Sequence, residues 1–290
     1  MTGVDPAAAL EAARDGLADL RRAGTSAMLG VALGNYCGAL ILLGRWDEVE
    51  EVFSGPDAEM FASTASNSFY VLVLRAWRDG TLDQPAAATL EALADSDDLQ
   101  DLGALAAGRA VAAACNGDQA AALEFAGKAL EVVESLGVNS EPVRWSWSLA
   151  VDTALDLGDG AEASRLLDWL DHYPAGLVPR LLRADRLRAQ ARMLSGTPGS
   201  DAGPLFEQAV GDLKHVGSPF FVARALLDHA SWCRAIGEDQ RAEQLATEAW
   251  AIAGRLPSKP LLDRASALLG DRTGDPNLAA SGTNGVGVSA

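Results

Sequence analysis

The feature that most constrains the fold of this 290-residue chain is an internal repeat. Glycines recur at intervals of 36 to 41 residues, between an apolar segment and a segment with apolar residues at three-to-four spacing. They are Gly44, Gly80, Gly117, Gly158, Gly196 and Gly237. A period of this length is typical of helix pairs that bury their apolar faces by stacking on neighbouring pairs. The repeat therefore predicts an all-α protein of about six helix pairs.

The residues around these glycines indicate how the two helices of a pair pack. A small residue stands five positions after the glycine in the clearest units, as at Ala122, Ala163 and Ala242, and it lets the second helix approach the first closely. Asp118 and Asp159 directly follow a glycine, where a carboxylate can cap free amides and meet the positive end of the helix dipole. The predicted core contains Leu33, Tyr36, Leu40, Phe53, Ala122, Ala126, Ala163, Leu167, Ala242 and Ala246.

The repeat also sets the boundaries that we expect. The predicted pairs span residues 26–54, 62–95, 98–137, 141–172, 176–216 and 218–255, with single helices at 5–22 and 258–270. We expect residues 5–270 to form one elongated solenoid. The segments 1–4 and 271–290 are predicted to be disordered, the second because it is rich in Gly and Ser and poor in large apolar residues.

The turn sequences resemble a known family of repeats. Residues Gly117 to Leu130 read Gly-Asp-x-x-x-Ala-x-x-x-Ala-x-x-Ala-Leu, which resembles the tetratricopeptide repeat (TPR). The segments Leu40–Phe53 and Pro219–Leu256 look like the repeats in the C-terminal region of bacterial LuxR-type AAA-ATPase regulators and AAA-linked adenylate/guanylate cyclases. The resemblance implies a right-handed α-solenoid of TPR-like pairs. The period exceeds the usual one of about 34 residues, which suggests longer helices.

The sequence carries none of the motifs that would indicate catalysis. The one Gly-Lys pair, Gly127-Lys128, lies within a predicted helix and lacks the rest of a phosphate-binding loop. An EF-hand beginning at Asp95 would need Gly and Glu where Gln100 and Ala106 stand, so a solvated loop with a helix cap is favoured. No serine lies in a G-x-S-x-G turn. We predict a protein that is not an enzyme and has no cofactor and no metal site.

The net charge, the cysteine spacing and the absence of targeting motifs limit the kinds of partner and the cellular compartment that we expect. The formal net charge of −17 disfavours direct binding to nucleic acid and to anionic membranes. Cys37, Cys115 and Cys233 have no paired spacing and are predicted to be buried thiols. The N-terminus lacks a signal peptide, and no apolar run is long enough to cross a bilayer. A cytoplasmic protein is therefore expected.

The candidate binding residues are those that the repeat register places on the concave side of the fourth to sixth pairs. They are Trp145, Ser148, Asp152, Arg183, Arg186, Arg224, Ser231 and Arg234. Tryptophan and arginine are enriched at binding hot spots, and a local basic strip in an acidic protein would favour an acidic or phosphorylated ligand. The competing interpretation is that the arginines pair with carboxylates of adjacent helices.

Trp145 and Trp147 provide a second argument for a binding surface. They are two residues apart on a helix, which separates their side chains by about 200°. We therefore expect that both cannot face the core and that one is exposed on a surface or in a groove. The alternative is that Trp145 packs against an adjacent helix pair.

Two functional hypotheses remain open at the level of sequence. The first is a non-enzymatic TPR-like scaffold or sensor in bacterial signalling or transcription regulation, which binds a protein, a peptide or a small inducer in its concavity. The second is a C-terminal regulatory fragment of a multidomain cyclase or LuxR-type ATPase, whose catalytic domains are absent from this chain.

Overall fold

A computed structural model describes residues 5–25, 28–197 and 199–270, and within these ranges it contains helices and no β-strand. The predicted all-α class is confirmed for this part of the chain. The disorder predicted for residues 1–4 and 271–290 lies outside the described residues. No helix in the described ranges is both long enough and apolar enough to cross a membrane.

The helices are α1 (Pro6–Ala23), α2 (Leu29–Leu42), α3 (Trp46–Ser54), α4 (Ala58–Ala62), α5 (Ser68–Arg78), α6 (Gln84–Glu91), α7 (Leu99–Cys115), α8 (Gln119–Leu130), α9 (Val133–Leu136), α10 (Glu141–Asp156), α11 (Gly160–Asp171), α12 (Arg180–Ser195), α13 (Gly203–Val216), α14 (Pro219–Ala235), α15 (Asp239–Arg255) and α16 (Lys259–Leu269). A 3₁₀ turn, Ala65–Asn67, precedes α5. The predicted pairs correspond to α2/α3, α5/α6, α7/α8, α10/α11, α12/α13 and α14/α15.

The turn glycines adopt the backbone conformation that a sharp reversal between helices requires. Gly44, Gly80, Gly117, Gly158 and Gly237 have φ between 71° and 84°, a region that L-residues with a Cβ rarely occupy. Gly196 differs, because its φ is −76°. The longer linker of this pair places the positive φ at Gly199 instead.

The local packing rules inferred from the sequence hold in the structure. Oδ1 of Asp118 accepts a 3.0 Å hydrogen bond from the amide of Ala121, and Asp159 caps α11 in the same way. Ala122, Ala163 and Ala242 are buried where the second helix of each pair meets the first. Of the predicted core, Tyr36 and Phe53 are only partly buried. The buried members are Leu33, Leu40, Ala122, Ala126, Ala163, Leu167, Ala242 and Ala246.

The expectation of an elongated solenoid is wrong, because α14 and α16 pack against α3 and α5. The first helices of the pairs contact one another in the order α2, α5, α7, α10, α12 and α14. The single helix α16 then contacts both α14 and α5. The ring of Phe220 in α14 lies 6.1 Å from the ring of Trp46 in α3 and stacks on Trp77 of α5. This aromatic seam closes the row of first helices into a ring, since it buries side chains that an open solenoid would expose at its two ends.

Candidate functional site

A cavity of about 370 Å³, partly open to solvent, lies between α5, α7, α10 and α14. Its volume lies within the range of small-molecule pockets, roughly 300–1,000 Å³. One wall consists of small and aliphatic side chains of α7, including Ala107, Val111 and Ala114. The facing walls carry the aromatic residues Phe69, Trp77, Trp145, Phe220 and Phe221.

Trp77 is the centre of the aromatic wall. Its ring stacks on Phe220 with centroids 3.7 Å apart and planes at 8°, and its centroid lies 4.6 Å from that of Trp145. Phe221 meets Trp77 edge-on, and Phe69 meets Trp145 edge-on. These contacts hold three first helices, α5, α10 and α14, in fixed relation around the cavity, because each ring is restrained by a ring of another helix.

The prediction that Trp145 and Trp147 cannot both be buried is wrong. Trp147 is fully buried on the side of α10 that faces α11, where its indole N–H donates a 2.9 Å hydrogen bond to the carbonyl of Leu166. Trp145 is 7% exposed on the opposite side, against Trp77 and Phe69. Both faces of α10 are covered because the ring closes over its inner side. Trp145 does pack against another helix pair, as the alternative expected, but the rings it contacts belong to α5 of the second pair rather than to a pair next to α10/α11.

A polar corner of the cavity is formed by Ser148 and Asp152 of α10 and Arg224 of α14. Arg224 forms an ion pair with Asp152 through Nη2, and its Nη1 donates a 3.2 Å hydrogen bond to the hydroxyl of Ser148. The guanidinium lies 5.0 Å from the ring centre of Phe221, a cation–π distance. Burial lowers the pKa of Arg224 to about 10, and the positive charge of Arg264 adds to this effect. Arg224 therefore remains a cation at neutral pH.

Behind this corner lies a buried network of arginine and aspartate side chains. The guanidinium of Arg188 in α12 donates to Asp185, Asp228 and Asp152 at 2.5, 2.6 and 2.6 Å. Arg192 adds contacts of 2.9 Å to Asp152 and 2.7 Å to Asp156, and Arg264 of α16 pairs with Asp228. The network joins α10, α12, α14 and α16, so the polar corner of the cavity is held by four helices.

The electrostatics of the network favour the ionised forms of Arg188 and Asp228. Burial alone would lower the pKa of Arg188, but Asp185 and Asp228 outweigh burial and raise it. Burial alone would raise the pKa of Asp228, but Arg188, Arg264 and Arg192 outweigh it and hold the pKa well below its ordinary value. Because each charge is surrounded by opposite charges, the low-dielectric interior strengthens the pairs rather than neutralising them.

Half of the predicted binding residues meet at this cavity. Trp145, Ser148, Asp152 and Arg224 line it together. Ser231 lies at a separate cavity beside Asp228 and Arg264, and Arg183 and Arg234 are exposed. Arg186 pairs with Asp171 of α11.

The structure does not assemble the basic strip that we expected on the concave face. Arg224 and Arg186 each pair with a carboxylate, as do Arg188 and Arg192. This is the competing interpretation, in which arginines neutralise acidic residues of adjacent helices. Of the four predicted arginines, Arg186 and Arg224 are thus paired, and Arg183 and Arg234 are exposed away from the cavity lining.

Sequence reasoning missed Trp77, Phe220 and Phe221, which supply much of the aromatic wall, and it missed the role of Cys115. Phe69 and Trp77 stand eight apart on α5, a spacing that places them on one helix face. The spacing could have indicated this face of α5, but which helices pack against the face depends on ring closure. Cys37 and Cys233 are buried as predicted, whereas Cys115 is only partly buried and lines the cavity.

Two polar atoms in the cavity wall have no hydrogen-bond partner among the described residues. They are Nε1 of Trp145 and Oγ of Ser146, and both belong to residues that are more than nine-tenths buried. Most buried polar atoms in native proteins are hydrogen-bonded, so unsatisfied ones call for an explanation.

Comparison with known proteins does not assign the chain to a family. No protein-family model matches it, and no curated protein matches it significantly.

Proposed function

We propose that this chain is a non-enzymatic sensor module that binds a small molecule in the cavity between α5, α7, α10 and α14. The observation that carries the proposal is the combination of an aromatic wall with one polar corner in a cavity of about 370 Å³. Apolar pockets with a few fixed polar groups are the usual form of small-molecule sites.

Ring closure favours a small molecule over the peptide or protein partner that an open solenoid would bind. An extended peptide needs a continuous groove, and in solenoids this groove is the concave surface. Here Trp77, Trp145 and Phe220 pack together across that surface. The space that remains fits a compact ligand better than a chain segment.

The chemistry of the cavity also supports binding rather than catalysis. Asp152 and Arg224 are held in ion pairs, so neither is poised as a general base or acid. Cys115 is the cavity's thiol, and burial raises its pKa. Since the thiolate is the nucleophilic form, this shift disfavours covalent chemistry at neutral pH.

The cavity shares two residues with the buried network of ion pairs. Asp152 and Arg224 belong both to the cavity and to the network that joins α10, α12, α14 and α16. A ligand that contacts this pair changes the contacts of the last helices of the ring. Within the proposal, the pairs form a right-handed TPR-like solenoid closed on itself, in a cytoplasmic protein of bacterial signalling or transcription regulation.

The test is a search for small molecules whose binding depends on the cavity. Purified protein is screened by thermal shift and tryptophan fluorescence against a metabolite collection, together with Ala114→Phe, which fills the cavity from α7. Ala112→Phe, on the same helix but outside the cavity lining, is the matched control. We expect hits that bind the wild type and Ala112→Phe and are lost in Ala114→Phe. Hits that all survive Ala114→Phe, or a collection without any hit, would contradict the proposal.

The absence of activity is tested separately. The purified chain, incubated with ATP or GTP, is expected to show no nucleotide hydrolysis and no cyclic nucleotide formation above background. Turnover that scales with protein concentration and persists in independent preparations would overturn the non-enzymatic assignment.

A further inference from the structure

The polar corner of the cavity offers a donor and an acceptor side by side. Arg224 presents guanidinium N–H groups, and Asp152 presents carboxylate oxygens, and the two side chains are in direct contact. Both remain partly accessible, with 13% of the Arg224 side chain and 19% of the Asp152 side chain exposed. A ligand group that combines an acceptor with an adjacent donor can therefore bond to both partners at once.

The charges around this corner balance. The network that contains Asp152 and Arg224 comprises, among the described residues, equal numbers of arginines and aspartates: Arg188, Arg192, Arg224, Arg264, Asp152, Asp156, Asp185 and Asp228. A ligand with a net charge would find no unpaired counter-charge there. Placing an uncompensated ion in a mostly apolar cavity is costly, so the site disfavours both anions and cations.

The shape of the cavity selects flat molecules. The aromatic wall formed by Trp77, Trp145 and Phe220 faces the small side chains of α7, such as Ala107 and Ala114. A planar ring system placed between these walls makes offset or edge contacts with the indoles and the phenyl ring. The volume of about 370 Å³ suits a fused bicyclic or tricyclic body.

We propose that the ligand is a neutral, planar, fused-ring compound with a lactam-type edge, that is, a ring C=O adjacent to a ring N–H. The C=O accepts a hydrogen bond from Arg224, and the N–H donates to Asp152. The ring body packs between the aromatic wall and α7. This inference rests on the proposed function and specifies the class of compound that the same cavity recognises.

The experiment uses matched probes that differ at this edge. Quinolin-2(1H)-one is the lactam probe, and 1-methylquinolin-2-one has its donor blocked. The compound 2-naphthoate carries a similar bicyclic body with a negative charge. Dissociation constants are measured by isothermal titration calorimetry on the full chain. A site that bonds a donor discriminates strongly against an analogue without it, so we expect N-methylation to weaken binding at least tenfold and 2-naphthoate to bind more weakly still.

Cys115 reports where the probes bind. It lines the cavity and is only partly buried, whereas Cys37 and Cys233 are buried, so slow labelling with N-ethylmaleimide should occur mainly at Cys115. We expect quinolin-2(1H)-one to slow this labelling at saturating concentration. Cys115→Ser provides the blank for the remaining thiols.

Two protein variants test which residues bind the lactam edge, and the comparison of the ligands does not depend on them. Arg224→Met removes the donor to the C=O and should weaken quinolin-2(1H)-one several-fold, while Trp169→Phe on α11, outside the cavity lining, should leave it unchanged. If Arg224→Met does not fold, the binding of the lactam and of its N-methyl derivative to the wild type still tests the lactam proposal.

The outcomes separate this inference from the proposed function. Equal binding of the lactam and its N-methyl derivative, tighter binding of 2-naphthoate, or no binding of the lactam would overturn the lactam class. None of these results would remove metabolite hits that are lost in Ala114→Phe, so the sensor function would stand. Failure of the metabolite screen would overturn both.

Discussion

The hydroxyl of Ser258, which directly precedes α16, donates a 2.6 Å hydrogen bond to the backbone carbonyl of Trp77 in α5, although 181 residues separate the two. The same tryptophan stacks on Phe220 and borders the cavity. The closure of the ring and the aromatic wall of the site thus share one residue, so a change that opens the seam also alters the cavity.

Loss of the aromatic seam should destabilise the whole ring. Phe220→Ala removes a buried ring that contacts both Trp46 and Trp77, and a truncation of this kind costs about 3–5 kcal/mol in free energy of unfolding. Phe53→Ala, at a partly buried ring away from the seam, should cost less. Urea denaturation followed by circular dichroism measures both. Equal costs would argue against a seam at Phe220.

Enlarging a buried repeat alanine should overpack the contact between the helices of a pair. Ala122 is fully buried in α8, and Ala122→Leu is expected to lower the free energy of unfolding by roughly 1–3 kcal/mol. Ala120→Leu on the same helix is exposed and should be nearly neutral. An unchanged melting midpoint for Ala122→Leu would show that the register of the repeat is wrong.

Removing the central cation of the buried network should be strongly destabilising. Arg188→Met leaves Asp185, Asp228 and Asp152 without their shared partner, and breaking a buried pair in this way costs about 3–5 kcal/mol. Arg165→Met, which breaks an exposed pair with Glu162, should cost about 1 kcal/mol or less. Chemical denaturation of both variants tests the difference. Similar values would mean that solvent screens the network.

The network should also make stability depend on pH in the acid range. The pKa of Asp228 is lower in the folded protein than the value of about 3.9 in an unfolded chain, so the unfolded state binds a proton first as pH falls. The stabilisation is present above about pH 4 and is lost as pH decreases below it, with a slope approaching about 1.4 kcal/mol per pH unit.

Asp228→Asn should flatten this dependence, because the titrating group is gone. The exposed Asp19→Asn serves as the control and should keep the wild-type slope. Urea midpoints measured between pH 2.5 and 6 give the comparison. A wild-type slope in Asp228→Asn would assign the acid sensitivity to other carboxylates.

Local features of the fold could be read from the sequence because they depend on residues close together in the chain. The cap at Asp118, the left-handed turn at Gly117 and the buried position of Ala122 all follow from one short motif. Gly196 departs from the pattern because a longer linker moves the turn to Gly199. That difference arises within a few residues, yet no turn rule predicted which glycine would take the positive φ.

Part of the candidate site was also predictable. Trp145, Ser148 and Asp152 are spaced by three and four residues, which puts them on one face of α10, and the repeat register pointed to the same side for Arg224. The partners of these residues could not be predicted. Whether Arg224 faces a ligand or Asp152 depends on the distance between α14 and α10, which the spacing within either helix does not contain.

The sequence by itself determined the helical class, the paired repeat, the turn positions and most of the buried alanines, since helix propensity, capping and periodicity act over a few residues. Only the tertiary structure decided that the row of helices closes, that Trp145 is covered on its inner side, and that Arg186 and Arg224 are paired. These outcomes depend on small rotations between successive pairs that accumulate along the chain. They bring Trp77 against Phe220 and Ser258, residues that no local pattern connects.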